Sequence, residues 1–188
     1  MAEVDELLKS AAKAGGSGDF KTAINLLNTA EKADSKERRV YEIRGYLMFL
    51  SGKQSEALTD YEKAIGLNPN AYMPWYRKAE CLFEMNRLEE ALSCVDKAVG
   101  SNDESYKAWE LGGRILALLD RPDEALEAYG NAIKLNPSDD ISWSGRSYVF
   151  ALKKEYDLAL KSAKKALELQ PDDQDYVRQV KTIKSLKG

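Results

Sequence analysis

The sequence has no histidine, only two cysteines and only five prolines in 188 residues. Each scarcity excludes something. Without histidine there is no histidine-dependent triad, no histidine metal site and no use of the commonest general base. Cys81 and Cys94 alone cannot form a disulfide framework, so a reducing compartment, the cytoplasm, is expected. Long apolar runs are also missing. The longest, Tyr46–Leu50 and Ile115–Leu119, fall far short of the roughly 18 residues a membrane span needs. Met1–Glu6 is acidic and reads as no secretory signal. Neither charge sign dominates: 28 basic against 31 acidic residues give a net charge of −3, which argues against a nucleic-acid surface. With 44% apolar and 31% charged residues, the chain can fold around a core.

What is present is a period. In 34-residue units starting at Val4, namely 4–37, 38–71, 72–105, 106–139 and 140–173, alanine fills the twentieth place every time: Ala23, Ala57, Ala91, Ala125, Ala159. It also fills the twenty-seventh: Ala30, Ala64, Ala98, Ala132, Ala166. The fourth place holds Leu7, Tyr41, Trp75, Trp109 and Trp143, and the eighth holds the small Ala11, Gly45, Ala79, Gly113 and Ser147. The twenty-fourth holds Leu27, Tyr61, Val95, Tyr129 and Ala163. Proline stands thirty-second in three units, as Pro69, Pro137 and Pro171, while Ser35 and Asp103 replace it in the other two.

Each unit therefore reads as two amphipathic helices, A and B, joined by a tight turn. Gly18, Gly52 and Asn86 suit the left-handed backbone of a helix end, and Pro122 suits the first turn of the following helix. The prolines near unit ends stop helix B. Small residues let A and B approach, and a lone hairpin must stack on neighbours to bury its apolar face. The fourth-place aromatics read as packing inside each hairpin, so replacing one tryptophan with alanine should cost about 3–5 kcal/mol. Val177, Val180, Ile183 and Leu186 recur at helical spacing, predicting a capping helix over 174–187. No linker divides the chain, so residues 1–188 read as one domain.

These places, as in Trp109-Glu110-Leu111-Gly112-Gly113, Ala125, Tyr129, Ala132 and Asn136-Pro137, make the chain resemble the tetratricopeptide repeat family from Val4 to Asp173. The first unit fits less well, because its helix A ends in Gly15-Gly16 and carries no aromatic. The resemblance implies an all-α fold, a right-handed α-solenoid of five helix-turn-helix units plus the capping helix. It also implies a concave wall built from the second, fifth, sixth, ninth, twelfth and thirteenth places of the A helices. Carried onto this sequence, those places offer Arg39, Glu42, Tyr46 and Phe49 in unit two, and Met73, Tyr76, Arg77, Glu80 and Phe83 in unit three. They offer Lys107, Glu110 and Arg114 in unit four, and Ile141, Ser144 and Tyr148 in unit five. Aromatics with arginine are what interface hot spots use, so an extended peptide packing on Tyr46, Tyr76 and Tyr148 is the expected ligand. Two plainer roles compete: Phe49 and Phe83 can pack between A helices, and Arg39 with Glu42 or Arg77 with Glu80 can simply pair, at about 0–1 kcal/mol for exposed pairs.

No catalytic constellation emerges. Gly15-Gly16-Ser17-Gly18 lacks the lysine and flanking strand of a phosphate loop. Cys81 and Cys94 have no third ligand for zinc and read as small buried hydrophobes. Neither enzyme activity, metal nor cofactor is expected. A carboxylate clamp for heat-shock chaperone tails is not expected either. The fifth places (Leu8, Glu42, Tyr76, Glu110, Ser144) hold no lysine, and the ninth (Ala12, Tyr46, Glu80, Arg114, Tyr148) no asparagine. Glu42 and Glu110 would also repel a terminal carboxylate. The expected function is a protein-interaction scaffold that binds a peptide or partner protein in its concave groove. The alternative is a self-assembling module, with a second copy covering the first unit. Nucleic acid and membrane are not expected partners.

Overall fold

The computed structural model describes residues 2–102 and 104–188; the proline-place Asp103 lies outside them. The described residues form eleven helices and no strand. The A helices are α1 (Ala2–Gly16), α3 (Arg38–Leu50), α5 (Tyr72–Glu84), α7 (Tyr106–Leu118) and α9 (Asp140–Leu152). The B helices are α2 (Phe20–Ala33), α4 (Gln54–Leu67), α6 (Leu88–Ser101), α8 (Pro122–Leu135) and α10 (Tyr156–Leu169), followed by α11 (Gln174–Lys187). They group into two compact units, Met1–Ser101 with α1–α6 and Asn102–Gly188 with α7–α11.

The turn between A and B repeats the same chemistry. Gly18, Gly52, Asn86, Asp120 and Lys154 all have positive φ, from 56° to 83°. The next residue's N–H reaches back five positions, as from Lys53 to Met48 O at 2.9 Å and from Glu155 to Phe150 O at 2.9 Å, the closure of a Schellman cap. The sequence marks this turn through glycine and asparagine only in the first three units. In the last two, Asp120 and Lys154 accept a conformation that L side chains adopt at some cost.

Helix B ends two residues before each proline, at Leu67, Leu135 and Leu169. The residue between, Asn68, Asn136 or Gln170, leaves the helical conformation, with extended backbone at both asparagines, and its N–H still bonds the carbonyl four residues back. The thirty-second-place carbonyl then accepts a bond from the next fourth-place aromatic: Tyr41 Oη to Ser35 O at 2.9 Å, Trp75 Nε1 to Pro69 O at 2.8 Å and Trp143 Nε1 to Pro137 O at 2.9 Å. This corrects the core role expected for the tryptophans. Trp75, Trp109 and Trp143 are only half-buried, and the indole N–H of Trp75 and of Trp143 finds its acceptor at the surface loop.

The alanines at both invariant places are fully buried. Between A and B the volumes compensate. Where the eighth place is glycine the twenty-fourth is tyrosine, and a Cβ on Gly45 would stand 2.7 Å from Tyr61 Cε1. Tyr129 is held the same way, between Gly113 (2.8 Å) and Gly145 of the following helix (2.4 Å). Smaller partners, Leu27 and Val95, face the alanines Ala11 and Ala79 at the same places.

The first unit also contains an ion network. Arg44 on α3 donates from Nε and Nη2 to both oxygens of Asp60 on α4 at 2.8 Å, and from Nη1 to Asn28 (2.7 Å) and Glu31 (2.5 Å) on α2. Arg44 and Asp60 side chains are only 8% and 7% exposed. One guanidinium thus ties three successive helices together.

In the second unit α11 packs on α10, with Val180 and Ile183 joining Ala159 and Ala163. Tyr176 Oη donates to Asp140 at 2.6 Å, and Gln179 bonds Ser144. The expected apolar stripe is only partly used, since Leu186 stays exposed.

Candidate functional site

Four of the expected wall residues of the compact unit Met1–Ser101, Glu42 and Tyr46 of repeat two and Met73 and Arg77 of repeat three, come together around an open cavity of about 770 Å³. That volume lies within the usual range for ligand sites, roughly 300–1,000 Å³. Three small residues on α1, Ala12, Gly15 and Gly16, open it, because no side chain from that helix projects into the space. Ile43, Leu50 and Pro74 supply apolar wall. Ile43 and Leu50 were missed at the sequence level although they occupy the sixth and thirteenth places of unit two, and that spacing was the signal that could have found them.

Arg77 is the polar edge of this cavity. Its guanidinium lies 4.4 Å from the Tyr46 ring centroid and 5.7 Å from that of Tyr76. Its Nη1 donates to Glu80 at 2.7 Å, so the expected Arg77–Glu80 pair is present. Tyr76 Oη donates to the other Glu80 oxygen at 2.8 Å. Tyr76 is therefore a support: it is 8% exposed, stacks on Tyr72 at 5.7 Å and orients Glu80. Tyr46 is 36% exposed, the more open of the two rings beside Arg77.

Tyr61 lines the same cavity, and its hydroxyl is buried without a hydrogen-bond partner. Burial pushes its pKa well above the usual phenol value, so the group stays protonated and available as a donor. Glu42 is paired with Arg38, not with Arg39 as expected, and burial raises its carboxyl above the ordinary range. Arg39 points elsewhere, bonding Asp5 at 2.7 Å and Glu37 at 2.8 Å. Phe49 is half-buried, as is Phe83.

The remaining candidates belong to the second unit. Lys107 and Arg114 are exposed, and Glu110 is 9% exposed with Arg114 Nη1 at 3.6 Å. Ile141 is exposed, and Ser144 donates to Gln179. Tyr148 lines an apolar cleft of about 290 Å³ with Leu152, Ile183 and Leu186. Cys81 and Cys94 are buried, and desolvation pushes the Cys81 thiol up to about 11, where it is a poor nucleophile. Among the described residues no group of three metal-ligating side chains forms, and no helix is long and apolar enough to cross a membrane.

Family models described as tetratricopeptide repeat match residues 8–72 and 113–174, and a second such model matches 48–115. Among curated proteins none matches the sequence. Several solved structures share the fold. MamA from Desulfovibrio magneticus RS-1 is 19% identical with a TM-score of 0.82, covering 92% of this chain and 97% of that one. PilF from Pseudomonas aeruginosa is 16% identical with a TM-score of 0.86, covering 97% and 85%. YrrB, described as a repeat protein with an unusual peptide-binding site, is 22% identical with a TM-score of 0.79, covering 93% and 90%.

Proposed function

Because the chain belongs to the tetratricopeptide repeat family, we propose that it is a non-catalytic interaction scaffold whose first unit receives an extended, apolar stretch of a partner protein. The single observation that carries this reading is the cavity itself. It is apolar over Ile43, Leu50, Met73 and Pro74, and it carries one exposed aromatic, Tyr46. An apolar side chain of the ligand sits over Ile43 and Leu50. Arg77 is already bound by Glu80, and both wall carboxylates, Glu42 and Glu80, would repel an acidic tail, so chaperone-tail capture is not part of the reading. Two buried cysteines suit a reducing cytoplasm.

The test fills the cavity from its own wall. A Cβ on Gly16 meets nothing within 4 Å, so Gly16→Leu starts its side chain from an open position on the cavity wall. Peptides selected against the parent protein by phage display should carry a large apolar residue. They should lose binding to Gly16→Leu and to Leu50→Ala while circular dichroism stays that of the parent. Undiminished affinity in both folded variants would remove the cavity as the site.

Self-association is the second reading, favoured by the apolar Tyr148–Leu152–Leu186 cleft beside α11. Light scattering over a concentration series decides it: a constant monomer mass excludes it.

A further inference from the structure

The seventh place of helix A holds arginine twice, Arg44 in α3 and Arg146 in α9. Arg44 is saturated by Asp60, Glu31 and Asn28. Moving each partner forward by three repeats gives the residues that stand in their places around Arg146: Ser162, Ile133 and Gly130. Both carboxylates and the amide are gone, and the arginine has stayed. Its Nε donates to Ser162 Oγ at 3.3 Å, and its guanidinium lies 4.4 Å from the Trp143 ring centroid and 5.9 Å from that of Phe150. No carboxylate pairs with it among the described residues. Arg146 is half-buried, and its terminal nitrogens have no hydrogen-bond or ion-pair partner among the described residues. A second observation concerns room. Where Asn28 fills the sister network, a Cβ on Gly130 would meet nothing within 4 Å. A half-buried cation flanked by two aromatic rings, lacking a counter-charge and facing open space, is a carboxylate receptor.

We propose that Arg146, backed by Trp143 and Phe150 and reached past Gly130, binds an acidic side chain of a partner protein. The incoming carboxylate takes the role that Asp60 and Glu31 play for Arg44. A planar fork on Arg146 accepts it through two parallel bonds, in a setting less screened than the open surface. The hollow beside the Trp143 ring is lined by Lys161, Lys164 and Lys165 with Asp157 and Glu168, and since Lys165 is paired with Glu168, Lys161 and Lys164 supply the positive charge on the approach. This site is independent of the first-unit cavity and stands or falls separately from it.

The test follows the Arg146 Nε–Hε resonance by NMR in the full chain. Three probes are titrated at millimolar concentration: N-acetylglutamate α-amide, N-acetylglutamine α-amide and N-acetylglycine. The expected result is a saturable shift with the glutamate probe, none with the glutamine probe and a smaller one with the terminal carboxylate. Ser162→Asp, which rebuilds the sister pair inside the protein, should abolish the response. Arg146→Met should weaken binding of any acidic partner peptide by about tenfold to a hundredfold, as expected for loss of a charge-assisted pair. An Arg146 resonance unmoved by the glutamate probe, or moved equally by glutamine, overturns the proposal. A stronger response to N-acetylglycine overturns the assignment to a side chain. The titration of the parent protein decides even if a variant fails to fold.

Discussion

Replacing Asp60 with asparagine tests how much the buried ion network contributes. The substitution keeps the side-chain shape and removes one charge from a pair whose members are 8% and 7% exposed. In the parent, Nε and Nη2 of Arg44 each meet an oxygen of Asp60 at 2.8 Å. In the variant one of these contacts becomes donor against donor, the other survives as a neutral hydrogen bond, and Glu31 is the one carboxylate left to the guanidinium. Removing one partner of a buried pair costs about 3–5 kcal/mol, chiefly through the uncompensated charge left behind. Glu31 still offers a carboxylate at 2.5 Å, so the lower end, about 3 kcal/mol, is expected. Urea denaturation followed by circular dichroism at neutral pH measures it. The double variant Arg44→Met/Asp60→Leu should recover most of the loss, because apolar replacement of a whole buried pair is often neutral. Glu124→Gln, which breaks the exposed Arg121–Glu124 pair, should leave the midpoint unchanged. A loss below about 1 kcal/mol in Asp60→Asn would show that the network behaves like a surface pair and refute the reasoning.

Other perturbations follow from the same geometry. Gly45→Ala sets a methyl 2.7 Å from the Tyr61 ring and should cost about 1–3 kcal/mol in denaturant titration, with partial recovery in Gly45→Ala/Tyr61→Leu. Lys154→Gly relieves a left-handed residue at φ 61° and should stabilise by up to about 1 kcal/mol, whereas Lys154→Val should destabilise; equal midpoints would contradict this. Glu31 is held below its ordinary pKa of 4.5, first by the hydrogen bond from Arg44. Its contribution is therefore present above that pH and lost as the pH falls through the lower folded value, so Glu31→Gln should flatten the acid limb of stability. Glu42, raised first by burial, acts with the opposite sign: its ionisation cost is relieved on protonation, and Glu42→Gln should gain most at neutral pH.

Periodic, small and buried features were legible in the sequence because they are dictated locally. Ala23 and Ala30 recur where two backbones touch, and no larger residue fits there. The turn was legible from residue type at Gly18 and Gly52 and from the 34-residue period alone at Lys154-Glu155-Tyr156, where the cap hydrogen bonds hold a lysine in a conformation that propensity disfavours. Arg44 and Asp60 were not legible as a pair, because their places change identity from repeat to repeat. The only trace is the 16-residue offset between two opposite charges, which pairs an A helix with its own B helix. The tryptophans misled for a related reason: recurrence at one place marks a shared role, and here that role is a bond to the preceding loop carbonyl at half-burial.

The first-unit cavity is the place where a departure from the repeat carries the meaning. Gly15-Gly16 and the lack of an aromatic make the first unit the poorest match to its family, which at the sequence level reads as weakness. In the folded unit those positions face Ile43, Tyr46 and Leu50, and the missing side chains become the open space. A Cβ at position 16 would meet nothing within 4 Å, so close packing does not account for the glycine there. Gly15 differs, since its Cβ would stand 2.8 Å from Leu47 and packing alone explains it. The two neighbours therefore separate the roles: Gly15→Ala should disturb α1 against α3, while Gly16→Ala should leave the fold as stable or more so and alter only what enters the cavity.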